Sequence, residues 1–168
     1  MVRAMDVAEL LLDEFARIRG LVGTVVDGLD DDELAARPNG RANSIAWLVW
    51  HLSRIQDDHV ADAAGAEQVW TTGWTDQFGL DLDASDTGYG HGPDDVAAVR
   101  ASADLLRGYH AAVADRTDAF VRALSPADLD RVVDANWDPP VTLGVRLVSV
   151  VSDCLQHLGQ AAYARGLD

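Results

Sequence analysis

At 168 residues and 48% hydrophobic content, the chain is long enough to bury a core in one domain and too apolar to be a disordered segment. Its net charge of −15, with 13 arginines, no lysine and 28 acidic residues, offers no basic stripe and argues against nucleic acid as a partner. A single cysteine, Cys154, excludes an internal disulfide framework and points to a reducing compartment.

The opening MVRAMDVAELLLDEF alternates charged and apolar positions, which reads as a helix rather than a signal peptide. No apolar run approaches the roughly 20 residues that a membrane span needs, so the expectation is a soluble, cytoplasmic protein. Helix one is predicted from about Asp6 to Val26, where Leu10, Leu11, Phe15, Ile18, Leu21, Val22 and Val25 recur at three- and four-residue steps. Asp6 is its expected N-cap, with Glu9 completing a capping box. A short helical turn follows at Asp31–Ala35 and stops at Pro38-Asn39-Gly40. Helix two, capped by Asn43 or Ser44, runs to about Ala64. The connection GAEQVWTTGWTDQFGLDLDASDTGYGHGP exceeds usual loop length, so it reads as a functional cover packed through Trp70, Trp74, Phe78, Leu80, Leu82 and Tyr89. Helix three is predicted from Pro93 or Asp94 through to Leu124, and Ser125–Asp128 as a capped turn. DRVVDANWDPPV is extended because Pro139 and Pro140 forbid helix. Helix four spans about Leu143 to Arg165, with Gly166 as its stop. No strand is evident, and the expected fold is an all-α four-helix bundle in a single domain, 1–168, with a long connection between helices two and three.

Two helices carry residues suited to chemistry. Helix two places His51 among Ile45, Leu48, Leu52, Ile55, Trp47 and Trp50, and helix four carries Asp153 and His157 four residues apart. That spacing puts the latter two on one face, with Cβ atoms ~6 Å apart, so both heads can reach one point. Two imidazoles and a carboxylate would leave a coordination position open, as catalytic zinc requires, and also suit Fe(II) as a facial triad. From spacing alone, a hydrogen-bonded or ion-paired Asp–His couple and a satisfied core histidine are the commoner outcomes of such a pattern. Cys154, about 100° around the helix from Asp153, reads as a small buried hydrophobe. Asp58 returns to the His51 face two turns on and could orient a ligand or contact substrate, or simply be solvated. His59 is expected at the surface, and Tyr109 and His110 present one ring inward. Tyr89 and His91, in the glycine-flanked DTGYGHGP, could supply a proton donor or a further ligand, or form a packing loop. Gln160 lies on the His157 side; Arg165 and Arg146 could meet an anionic cofactor. Trp47, Trp50 and Trp137 read as core or pocket wall.

NSIAWLVWHLSRIQDDHV followed by WDPPVTLGVRLVSVVSDCLQHLGQAAYARG resembles the DinB/YfiT-like superfamily, and within it the actinobacterial DUF664-type branch. The resemblance runs through nearly the whole chain. It implies a four-helix bundle, commonly a homodimer, holding a divalent metal through one helix-two histidine and an H-x-x-x-H pair on helix four. Carried over, the ligands are His51 and His157, with Asp153 where the family has a histidine. A carboxylate at that position is similar to the mycothiol-dependent maleylpyruvate isomerase branch. The implied metal is zinc, with nickel or iron behind it. The implied co-substrate is mycothiol, in keeping with the arginine-for-lysine usage of a GC-rich genome, and the implied reaction is S-transfer to a small electrophile or thiol-assisted isomerisation. The alternatives are a non-catalytic binding bundle and a metal-dependent hydrolase.

Overall fold

The computed structural model describes residues 5–166. Its elements in order are α1 (Val7–Val26), α2 (Asp31–Ala35), α3 (Ile45–Ala64), α4 (Thr75–Phe78), α5 (Pro93–Ala98), α6 (Ala103–Arg122), β1 (Val132–Asp134), β2 (Val141–Thr142) and α7 (Leu143–Arg165). The described residues are mainly helical. The four long helices pack in a ring, α1 and α3 each lying against both α6 and α7. None is long and apolar enough to cross a membrane.

Local chemistry sets the helix ends. Asp6 and Glu9 form the reciprocal capping box of α1, and the Ser44 hydroxyl accepts the Trp47 amide at the start of α3. Gly65, in the left-handed region at φ 62°, ends α3. Burial then holds the helices together. Phe15, Ile18, Val22 and Val25 face inward from α1, and Leu143, Leu147, Val150, Cys154, Leu158 and Ala161 from α7. Each fully buried aliphatic side chain among them contributes about 1.5–3 kcal/mol. α3 is the central helix: its residues 45–57 are all buried, including His51, Ser53, Arg54, Gln56 and Asp57.

Two local features depart from the sequence reading. The third predicted helix is two helices, because the backbone opens after Ala98 and Ser102 starts α6 by accepting the Leu105 amide. The intervening Val99 and Ala101 are buried. Apolar spacing continues through this break, so periodicity could not reveal it, whereas a mid-segment serine competes for backbone donors as an N-cap. The extended stretch before α7 also forms a small antiparallel pair, Val132 opposite Thr142 and Asp134 opposite Val141. Strands of two and three residues are too short to show alternation.

The connection from α3 to α5 is tied down by two buried charges of α3. Asp57 accepts the amides of Val69 and Trp70, both at 2.8 Å, and the Tyr109 hydroxyl at 2.8 Å. Arg54 donates to the Asp86 carbonyl at 3.1 Å and to Gln68 at 2.8 Å, with its guanidinium over the Trp70 ring. Trp70 and Phe78 are buried, and Trp70, Trp74 and Phe78 all pack on Tyr109. Burial and the Asp57 carboxylate push the Tyr109 hydroxyl well above its ordinary value, so it stays a donor. Tyr89 does not share in this packing and is 90% exposed.

Candidate functional site

Three side chains meet where α3 packs on α7. His51, in the second turn of α3, is buried; Asp153 and His157, one turn apart on α7, are partly exposed. One potential ligand atom from each lies within 4.8 Å of the others. The His51 and His157 rings meet edge to face at 4.8 Å, and the Trp47 indole stacks on His51 at 4.6 Å. The buried Cys154 thiol, 3.8 Å from the Leu52 carbonyl, packs α7 against α3 at this level.

Hydrogen bonds set the orientation of both imidazoles. The Thr87 carbonyl can only accept, so His51 Nδ1 carries the proton and Nε2 keeps its lone pair. Gln160 Oε1 lies 3.1 Å from His157 Nδ1, which leaves His157 Nε2 toward Asp153 at 3.5 Å. Burial pushes His51 below the ordinary imidazole value, although the Thr87 contact opposes it. His157 moves upward, because the Asp153 carboxylate beside it outweighs burial. At neutral pH one imidazole is therefore held neutral and the other sits against an anion.

Asp153 Oδ2 is buried and has no hydrogen-bond partner. An unpartnered buried carboxylate oxygen is costly, and a cation shared with two imidazole nitrogens would remove that cost. Two neutral nitrogens and one carboxylate form a donor set suited to zinc and other divalent transition metals. The residues present therefore fit such an ion.

The other candidates land elsewhere. Gln160 touches the trio through His157 and also lines a cavity of about 890 Å³ between Arg37, Asn43, Leu48 and Tyr163. His91 is not free to act as a ligand: Trp47 Nε1 donates to its Nδ1 at 3.0 Å, and Asp86 Oδ2 lies 2.9 Å from its Nε2. Tyr89 points to solvent because Gly88 and Gly90, both at positive φ, turn the chain on either side of it. Asp58 lies about 10 Å further along α3 than His51, since seven residues rise that far, and Gln68 and His59 engage it there. Arg165 donates to the Val25 carbonyl at the end of α1, and Arg146 pairs with Asp134 at 3.0 Å. His59 is half-buried rather than exposed, and burial, then Arg146, pushes it down. Tyr109 and His110 are both buried, because α6 packs on α1 and α3 together. Trp137 is 66% exposed, its indole N–H on Asp134. Cys154 is the inert buried thiol its position implies, its pKa raised by desolvation. Sequence reasoning missed the Thr87–Gly88 approach to His51; the closely spaced glycines of TGYGHG were its one visible signal.

Residues 10–168 match the family described as mycothiol S-transferase. The chain belongs to that family. The crystal structure of a conserved protein from Enterococcus faecalis is similar to it at 32% identity and a TM-score of 0.89, covering 96% of each chain. No functionally curated protein matches. The chain that carries the His51–Asp153–His157 cluster thus belongs to a family named for mycothiol S-transfer.

Proposed function

We propose that this chain is a metal-dependent mycothiol S-transferase, a DinB-like four-helix bundle forming one cytoplasmic domain and working as a homodimer. His51, Asp153 and His157 hold the divalent ion, zinc first, with nickel or iron behind it. The observation that carries the reading is the orphaned Asp153 Oδ2 beside two imidazoles that each turn Nδ1 toward an oxygen, in a chain of this family. When bound, the cation would favour thiolate over thiol at neutral pH, because one carboxylate and two neutral ligands leave the centre with a net positive charge.

The chain's own groups prepare the site. Burial keeps His51 neutral, Trp47 walls off one face of its ring, and Asp153 and His157 stay partly exposed. In the reaction the mycothiol sulfur forms a bond to the electrophilic carbon of a small molecule, the leaving group departs with its electron pair, and the thiol proton passes to solvent. Elemental analysis of protein freed of any histidine tag is expected to show one divalent ion per chain, lost in His157→Ala. Monochlorobimane is expected to be consumed only with metal and mycothiol together. Metal content unchanged in His157→Ala would remove the site, and turnover with water alone would make the chain a hydrolase.

A further inference from the structure

The 86–91 turn does more than cover α3. Gly88 sits at φ +89°, and a Cβ built there would lie 2.7 Å from His51 Nδ1, 3.0 Å from Trp50 and 3.2 Å from Trp47. No real Cβ approaches a ring nitrogen that closely, so any side chain at 88 must displace the imidazole or lift the turn off it. The preceding Thr87 carbonyl accepts the proton of that same nitrogen. The turn is itself held from both sides. Asp86 Oδ1 accepts the Gly88 amide at 2.9 Å, and Oδ2 accepts from His91 Nε2 at 2.9 Å. His91 Nδ1 accepts the Trp47 indole N–H at 3.0 Å, which requires the His91 proton to be on Nε2. Donation therefore runs without conflict from Trp47 through His91 to Asp86, whose other oxygen accepts the Gly88 amide.

We propose that this turn is the positioning device of the site: Gly88 permits, and Asp86 with His91 enforces, the Thr87 contact that fixes His51 with Nε2 bare and aimed at Asp153 and His157. Outer hydrogen bonds of this kind orient ligands and hold their tautomer. Gly88, Asp86 and His91 are positioning residues and touch no substrate. The inference rests on the metal reading for its consequence, but the orientation of His51 is a property of the protein without any ion.

Gly90 provides the control. It lies two residues on, at φ +81°, and a Cβ there meets nothing within 4 Å. Gly88→Ala and Gly90→Ala thus carry the same kind of backbone strain, while only the first reaches His51. The experiment measures Zn²⁺ affinity by competition with a chromophoric chelator, and the His51 tautomer in the metal-free protein by long-range ¹H–¹⁵N NMR. Gly90→Ala is expected to melt earlier yet bind Zn²⁺ within twofold of the parent, with His51 still protonated on Nδ1. Gly88→Ala is expected to bind at least tenfold more weakly and to show a mixed tautomer. Asp86→Ala, which adds no bulk, is expected to weaken binding at least threefold and to serve if Gly88→Ala does not fold. Zn²⁺ affinity and tautomer in Gly88→Ala equal to those of Gly90→Ala would overturn the proposal, as would an unchanged Asp86→Ala. If the parent binds no Zn²⁺ the metal reading falls, and the tautomer comparison alone still decides the positioning role.

Discussion

Arg54 is fully buried, and its replacement tests how the scaffold supports the site. Its guanidinium lies 3.8 Å from Asp57, donates to the Asp86 carbonyl and to Gln68, and covers the Trp70 ring. Arg54→Met keeps most of the volume and deletes the charge and its donors. Breaking a buried pair by removing one partner costs about 3–5 kcal/mol. The low end applies, about 3 kcal/mol, because Asp57 still accepts from the Val69 and Trp70 amides and the Tyr109 hydroxyl. For a chain of this size that is a fall in Tm of about 6–12 °C. Urea unfolding followed by circular dichroism measures it, with the m value kept as the check on two-state behaviour. Arg54→Lys should fall between parent and Met, since an ammonium cannot fork to several acceptors. A loss under about 1 kcal/mol in Arg54→Met, at unchanged m, would show that the buried charge does not hold the connection down.

Four other substitutions have expected outcomes fixed by contacts or by exposure. His110 is pushed to about 4 by burial, with Ser53 on its Nδ1 and no partner for its Nε2. Its folded value lies below the unfolded 6.5, so the unfolded chain binds more protons between those limits. The stability present above pH 6.5 is therefore lost as pH falls toward 4, by about 2 kcal/mol at pH 5; in His110→Asn this part of the pH dependence, read from urea midpoints, should vanish. Asp153→Asn keeps the shape but removes the one anionic group of the trio, and Zn²⁺ affinity by chelator competition should drop at least tenfold; equal affinity would remove Asp153 from the site. Ser102→Ala deletes the cap of α6 and should cost about 1 kcal/mol in thermal unfolding, whereas Tyr89→Ala, at an exposed position, should stay within about 0.5 kcal/mol.

Much of the architecture was legible because it is local. The capping residues Asp6 and Ser44 and the apolar steps of α1, α3 and α7 appear within a few residues of where they act, so the long helices could be drawn almost to their ends. The i, i+4 spacing of Asp153 and His157 likewise guaranteed that they share a face, whatever the rest of the chain does. What joins them to His51 is the packing of α7 on α3, about a hundred residues apart in sequence, and no periodicity encodes which helices touch. The same holds for the break at residues 99–102, where buried Val99 and Ala101 preserve a helical pattern in a non-helical backbone. It holds most for Tyr89, His91 and Gly88. As letters they suggested a packing tyrosine or proton donor, a further ligand, and a glycine able to approach a site closely. Tertiary structure turned the first to solvent, bound both nitrogens of the second, and pressed the third against His51, because only folding brings Thr87 to His51, Asp86 to His91 and Trp47 to both rings.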